Sequence, residues 1–110
     1  MTRKEALAEL IEKVGKGKAP KYTPDYELAL YPIKGMWAAY KAMDAYEGSL
    51  DAAKALNDAV LPESSAVIQM NGVAQLHGPI HGFVWTAFNE IPARAWLIAI
   101  LMELHAHDKS

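Results

Sequence analysis

The chain has 110 residues, of which 52% are hydrophobic and 22% charged, and its formal net charge is −2. These values are typical of one globular domain with a modest core, and they argue against a disordered chain. The small net charge gives no bulk attraction to nucleic acid, and the absence of cysteine excludes disulfides, thiol catalysis and cysteine-based zinc sites.

The beginning of the chain predicts a charged helix rather than a signal peptide, because MTRKEALAEL contains no apolar signal core. The longest apolar run, AWLIAILM at 95–102, has eight residues, whereas a bilayer span needs about 20. We therefore expect a cytoplasmic protein that does not associate with a membrane.

Apolar residues at helical spacing predict the first helix over about residues 3–14, with Leu7, Leu10 and Val14 on one face. Glu9 and Lys13 would form an i,i+4 pair on the other side of this helix. The following stretch, GKGKAPKYTP, is rich in lysine and glycine, so we expect a mobile connection. On this basis residues 1–22 form an N-terminal helix and connection, and residues 23–110 form the compact core of a single domain.

Three more helical segments are predicted before residue 62. Thr23 and Pro24 are a typical N-cap and first helical residue for a short helix, TPDYELALY. The segments 36–46 and 50–61 are alanine-rich, and the EGS between them predicts a helical hairpin in which Ser49 caps the second helix.

The pattern then changes to that of a short antiparallel sheet of two or three strands. Asn71-Gly72 lies between two β-prone runs and predicts a hairpin with a two-residue turn, which would place Ile68 opposite Gln75 and Met70 opposite Val73. GFVWTAF predicts a third strand. Both faces of this sheet carry apolar residues, so we expect both to be covered, by helices or by another subunit.

A last helix is predicted from near Asn89 to about Ala106, with Pro92 in its first turn. It is apolar almost all round, as a helix buried against several neighbours is. The predicted fold class is therefore α+β, with N-terminal helices, a short sheet and a buried C-terminal helix in a layered α/β/α-like sandwich. A homo-oligomer, a dimer or higher, is the expected assembly.

The second half of the chain resembles the phage ABA-sandwich family, a group of small uncharacterised phage and prophage proteins. The resemblance covers about residues 49–104 and is carried by SLDAAKALNDAVLP, by the short tryptophan-containing strands and by IPARAWLIAILMEL. It implies a three-layer arrangement, a phage or prophage origin and a location in the cytoplasm of the host cell. It implies no catalytic residues.

Two histidines four residues apart, in HGPIHG at 77–82, raise the question of a metal site. His77 and His81 would share one side of a helix, but Gly78, Pro79 and Gly82 exclude a regular helix there. The sequence therefore favours a connection between strands, and no metal or other cofactor is expected.

The segment NEIPARAW offers a site for an anion at the start of the last helix. Asn89 can cap that helix, and Arg94 in its first turn can donate two hydrogen bonds to a phosphate or carboxylate. His77, His81 and Trp85 are close in sequence, so these five residues could ring one pocket edge. The alternative is that Arg94 forms an ordinary surface pair and the histidines lie in a turn.

Trp37 and Lys41 are predicted to lie on an interaction surface, because the helical neighbours of Trp37 are Lys41 and Asp44. The alternative is that Trp37 is half-buried against an adjacent element. The lysines at 13, 16, 18 and 21 are more typical of a solvated linker than of a phosphate-binding site, which argues against nucleic acid as a partner.

Known catalytic constellations are missing from the sequence: it contains no P-loop, nucleophile elbow or dinucleotide-binding glycine motif. We therefore expect a non-enzymatic phage accessory binding protein that antagonises a host component, by occluding a host protein or by sequestering a small anionic or nucleotide ligand. The alternatives are a virion or assembly protein and a metal hydrolase that uses His77 and His81.

Overall fold

The structure, a computed structural model, describes residues 2–78 and 84–108. The elements follow in the order α1 (Arg3–Gly15), α2 (Pro24–Tyr46), α3 (Leu50–Val60), β1 (Ser65–Gln69), β2 (Val73–His77), β3 (Val84–Phe88) and α4 (Pro92–His107). The three strands form one antiparallel sheet in the order β1-β2-β3. The predicted α+β fold class is therefore confirmed, including the third strand and the buried last helix.

Helix α4 forms the middle layer of the molecule. It contacts all three strands on one side, and α1, α2 and α3 pack against it on its other sides. Among the described helices only α4 contacts the sheet. The molecule therefore has three layers: the helices α1, α2 and α3, then α4, then the sheet. This order differs from the expected α/β/α sandwich, because no described helix covers the second face of the sheet.

The helix ends follow local capping chemistry. Thr2 and Glu5 form a reciprocal capping box at the start of α1, and Ser49 accepts a hydrogen bond from the Ala52 amide at the start of α3. Thr23 is the N-cap residue of α2, as predicted, but its hydroxyl donates to the Pro20 carbonyl at 2.7 Å instead of capping the helix.

Helix α2 contains a kink between the two segments, 23–31 and 36–46, that the sequence predicts as separate helices. Gly35 has φ 67°, in the left-handed region, and Lys34 before it has the non-helical angles φ −143° and ψ 29°. The two predicted helices on either side of Gly35 are therefore confirmed as two arms of one kinked element.

The connection between α1 and α2 was predicted to be mobile, but it is attached to the core. Ala19 is fully buried, and the buried Tyr26 donates its hydroxyl hydrogen to the Ala19 carbonyl at 2.5 Å. Lys21 forms an ion pair with Asp44 at 3.1 Å. These contacts, together with the buried side chains of α1, make residues 3–22 part of the same core as the rest of the chain.

The predicted register of the first hairpin is wrong by one residue. Ile68 pairs with Ala74 rather than Gln75, and Gln69 pairs with Val73. The expected two-residue turn requires positive φ at Asn71 and Gly72, but of these two only Gly72 has it, at 97°. The Gly72 amide instead closes a turn onto the Gln69 carbonyl at 3.0 Å, which lengthens the loop and shifts the register.

The observed register separates the two faces of the sheet. The inner face, which packs on α4, consists of Ala66, Ile68, Ala74, Leu76, Trp85 and Ala87. The outer face carries Ser65, Val67, Gln69, Val73, Gln75, His77, Thr86 and Phe88. Shifting the register of a strand by one residue would turn each of its side chains to the opposite face, so the turn at Gly72 determines which residues reach the core.

One ion pair joins the two ends of the described chain. The Arg3 guanidinium donates through Nε to Oδ2 of Asp108, the residue that follows α4, and the Asp108 side chain is almost fully buried. This contact fixes the start of α1 to the end of α4.

Replacing Gly72 with alanine is expected to disrupt the hairpin. A Cβ at position 72 would lie 2.0 Å from the Asn89 carbonyl oxygen, and φ there is +97°. Backbone strain of this kind costs about 1–3 kcal/mol, and the clash with backbone adds to it. Urea unfolding should show a loss of at least about 2 kcal/mol. Gly15→Ala is the matched control, since a Cβ there meets nothing within 4 Å. Equal stability of the two variants would contradict the prediction.

Replacing Glu9 with glutamine is expected to stabilise the protein at neutral pH. Lys13 pairs with the buried Asp25 at 3.3 Å, and Glu9 adjoins that same carboxylate. Hydrogen bonding with Asp25, and then charge repulsion from it, raise the pKa of Glu9. A carboxyl group whose pKa is higher in the folded state stabilises that state at pH values below its pKa in the unfolded chain. This stabilisation is lost as the pH rises through the pKa of the folded state.

The measurement for Glu9 is urea unfolding at a series of pH values from about 3 to about 8. The advantage of Glu9→Gln should grow as the pH rises through the raised pKa of Glu9. Glu12→Gln is the control, and it should lower the stability at neutral pH. An ion pair with Lys16 at 2.6 Å lowers the pKa of Glu12. A loss of stability in both variants at neutral pH would contradict the prediction.

Candidate functional site

Among the described residues of the predicted site, His77, Trp85, Asn89 and Arg94, the structure shows no arrangement around one pocket. His77 is exposed on the outer face of the sheet, whereas Trp85 packs against the core on the inner face. Asn89 follows β3 at the end where Val73 pairs with Phe88, and His77 pairs with Val84 at the other end, about 14 Å away along the strand. His81 lies outside the described residues.

Arg94 is engaged in contacts within the protein. Its Nε donates to the Tyr46 carbonyl at 2.6 Å, and its guanidinium lies 3.9 Å from the centre of the Tyr46 ring. Tyr46 is the last residue of α2, where the helix dipole favours a cation. These contacts support a structural role, in which Arg94 joins the end of α2 to the start of α4.

The predicted anion site at the start of α4 also has few free donors. Pro92 has no amide hydrogen, and the Ile91 amide donates to Asn89 Oδ1 at 3.0 Å. The Arg94 amide donates to the Ile91 carbonyl at 2.9 Å. The first turn is therefore largely satisfied by its own residues.

Trp37 is 44% exposed, in agreement with its predicted place at the surface. Lys41 lies one turn further along α2, with its Nζ 5.8 Å from the centre of the Trp37 ring. This distance is within the range of a cation–π contact, so the two side chains support each other at the surface. Their proposed role in binding a partner stays a prediction.

A pocket of about 290 Å³ lies elsewhere, between the segment that connects α3 to β1 and the C-terminal half of α4. We name it the α4 pocket. Its lining residues are Val60, Leu61, Pro62, Glu63, Ser64, Glu103, Leu104 and His107. Ligand sites in proteins typically combine an apolar lining with a few polar groups, and this set has that composition.

Glu103 is the polar centre of the α4 pocket. It is only 2% exposed, and its Oε1 contacts Nε2 of His107, one turn further along α4. Its Oε2 is buried and has no hydrogen-bond partner among the described residues. A carboxylate oxygen left without a donor in an apolar environment is costly, so this arrangement calls for an explanation.

The end of strand β2 comes close to this carboxylate. A Cβ at Gly78 would lie 3.0 Å from Glu103 Oε2 and 3.2 Å from Oε1. Any side chain at position 78 would therefore press on the carboxylate. The first glycine of HGPIHG thus allows the backbone to pass directly beside Glu103.

Asn57 fixes the wall of the pocket opposite α4. It is 3% exposed, and its Nδ2 donates to the Ser64 carbonyl at 3.2 Å. Its Oδ1 accepts a hydrogen bond from Trp96 Nε1 of α4 at 3.1 Å. One side chain therefore holds α3, the 61–64 segment and α4 in fixed relation, which keeps the pocket open in a defined shape.

Serine, histidine and glutamate side chains all line the α4 pocket, which raises the question of nucleophilic catalysis. A serine nucleophile needs a hydrogen bond to its base. Ser64 Oγ is buried and makes no hydrogen bond to another described residue, and His107 directs Nε2 to Glu103. Among the described residues, Ser64 therefore has no base hydrogen-bonded to it.

The sequence contained one signal for this site. Glu103 is the only carboxylate in α4, inside the otherwise apolar run AWLIAILMELHAH. A single acid in a helix that is buried on all sides must lie at a polar site or against a partner. The sequence contains no such signal for Ser64 or Gly78. These residues come near Glu103 only because distant parts of the chain fold together.

Over residues 2–78 and 84–108, no three His, Asp or Glu side chains lie close enough to hold a metal ion. In the same ranges, no helix has the length and apolarity to cross a membrane.

Comparison with known proteins gives no relative from which a function could be transferred. No protein-family model matches the chain, and neither a curated protein nor a solved structure matches it significantly. The resemblance to the phage ABA-sandwich family therefore stays a prediction.

Replacing Glu103 with glutamine is expected to stabilise the protein. Glutamine preserves the acceptor for His107 but removes a buried charge of which one oxygen has no donor among the described residues. A gain of about 1 kcal/mol is expected in urea unfolding at neutral pH. The control is Glu63→Gln, an exposed residue of the same pocket, which should change stability by less than about 0.5 kcal/mol. Destabilisation by Glu103→Gln would show that its charge contributes to folding.

Proposed function

We propose that this protein is a non-enzymatic binding protein whose ligand site is the α4 pocket. The single observation that carries the proposal is Glu103, a buried residue of the pocket lining whose Oε2 makes no hydrogen bond to the described residues. A ligand that donates a hydrogen bond to this atom would offset the cost of burying it. Functional sites commonly contain a polar group whose burial lowers the stability of the fold.

The resemblance to phage proteins supports an accessory role in the host cell. In that role, binding would antagonise a host component by sequestering a small molecule or by occluding a host protein. The carboxylates of Glu63 and Glu103 do not suit the anionic or nucleotide ligand that was expected near Arg94. The proposal therefore moves the ligand site from the start of α4 to its C-terminal half.

A pocket-filling variant tests this proposal. Small apolar alcohols such as hexanol should shift the backbone amide resonances of Leu61, Ser64 and Leu104 in nitrogen-15 NMR titrations, with dissociation constants on the order of 1 mM. Leu104→Trp should abolish these shifts by occupying the pocket. Leu28→Trp is the control, since Leu28 is 46% exposed on α2. If neither alcohols nor amines of this chain length perturb these amides at about 10 mM, the pocket is not a ligand site.

The outer face of the sheet supports a second function, self-association. Phe88 is 71% exposed and Val67 50%, and Met70 in the adjoining loop is 74% exposed. The described side chains on this face include no Asp, Glu, Lys or Arg, so two copies could meet there without repulsion between like charges. We propose that a second copy of this chain covers the face, as the predicted homo-oligomer and a virion or assembly role would require.

The size of this face predicts a weak dimer. Three strands of five residues cover about 14 × 17 Å, a few hundred Å², against about 800 Å² per partner in a stable complex. Light scattering should therefore show a mass that rises with concentration, and Phe88→Lys should keep the protein monomeric. Leu28→Lys places the same charge on α2 and should leave the mass unchanged. A constant monomer mass at about 1 mM would refute the dimer.

A further inference from the structure

We infer that the ligand of the α4 pocket is a small primary ammonium compound with an apolar chain. This inference rests on the proposed binding function and specifies its chemical class. It follows from four properties of the pocket: the sign of its charge, the number of free acceptor atoms, the kind of apolar side chains and the volume.

The charged side chains of the pocket favour a cation. Glu63 and Glu103 line it, and the described lining residues include no lysine or arginine. His107 is the only basic residue among them, and its Nε2 already contacts Glu103 Oε1. An anionic ligand would meet two carboxylates in a partly apolar space, whereas a cation would find a counter-charge there.

The free acceptor atom favours a cation that needs one carboxylate oxygen. A guanidinium or amidinium binds a carboxylate through both oxygens. Oε1 of Glu103 is occupied by His107, and only Oε2 is free of partners in the part of the chain that the structure describes. An ammonium is a compact charge that can donate to a single oxygen and still has hydrogens left for other acceptors.

Ser64 provides a second polar contact at the same pocket. Its buried Oγ has no hydrogen-bond partner among the described residues, and the Ser64 carbonyl is held by Asn57. A hydroxyl can accept a hydrogen bond through its lone pairs. A primary ammonium, with three hydrogens, has enough donors for both Glu103 and Ser64.

The apolar side chains of the pocket distinguish a primary from a quaternary ammonium. They are Val60, Leu61, Pro62 and Leu104, all aliphatic. Quaternary ammonium groups are recognised by aromatic rings through cation–π contacts. Aliphatic walls instead suit the hydrocarbon chain of the ligand, while the charged end goes to the carboxylate.

The volume of the pocket suits a small ligand. At about 290 Å³ it lies at the lower end of the range for ligand pockets, about 300–1,000 Å³. A linear amine with a chain of roughly six carbons is small enough for such a pocket. We therefore expect a short alkylamine or a related monoamine.

The experiment compares five compounds that share a hexyl chain: hexylamine, hexanol, hexanoate, hexylguanidine and hexyltrimethylammonium. Each is titrated into the full chain at neutral pH, where an alkylamine is protonated, as lysine is. The backbone amides of Leu61, Ser64 and Leu104 report occupancy of the pocket. Hexylamine should bind at least tenfold more tightly than hexanol and each of the other three compounds.

Variants then locate the interaction at one carboxylate. Glu103→Gln should weaken hexylamine at least tenfold and leave hexanol unchanged within about twofold, because a charge-assisted hydrogen bond is replaced by a neutral one. Glu27→Gln, an exposed carboxylate on α2, is the matched control for non-specific attraction and should change neither. Thermal unfolding of each variant verifies that it is folded.

The results separate the inference from the proposed function. Hexanol binding without a preference for hexylamine would overturn the ammonium inference and leave the ligand site in place. Tighter binding of hexylguanidine than hexylamine would overturn it as well, because both carboxylate oxygens would then be available. If none of the five compounds perturbs the pocket amides, both the inference and the proposed function are wrong.

Discussion

The burial of α4 is the constraint on which the rest of the structure depends. This helix has apolar side chains on almost every side, and eight of its residues are buried. No single neighbour can cover such a helix, so it requires the sheet on one side and other helices around it. The sheet in turn has only α4 as a helical neighbour among the described elements, so its inner face depends on the same residues.

The elements of this fold could be predicted from sequence because local patterns specify them. Helical spacing in α1, the cap at Ser49 and the apolar length of α4 each act within one element. The register of the hairpin could not be predicted, because Asn-Gly suits two loop lengths and the choice is made by contacts of Gly72 with the Asn89 backbone. The layer order likewise depends on packing between distant segments.

The candidate site could not be predicted from the sequence, because its residues are distant along the chain and meet only in the fold. His77, Trp85 and Arg94 are close along the chain, which predicts a common site, but a strand turns successive side chains to opposite faces. The residues that do converge are Ser64, Gly78 and Glu103, which come from three parts of the chain. The sequence did not predict any of these three residues, and only Glu103 has a signal there, as the single carboxylate of the apolar helix α4.

Asn57 links the architecture to the candidate site. The same amide that joins α3 to Trp96 of α4 also holds the segment that forms one wall of the pocket. The connecting segment that lines the pocket is therefore attached to the core by hydrogen bonds. A site supported in this way has a fixed shape before a ligand arrives, which lowers the entropic cost of binding.

The ion pair between Arg3 and Asp108 has a consequence for how this domain can be connected to other chains. It brings the start of α1 and the end of α4 to one corner of the molecule. A domain with adjacent ends can be inserted into a loop of another protein with little distortion of the host, and its own ends can be joined by a short linker to give a circular permutant. Any polypeptide attached at both ends would therefore leave from the same place.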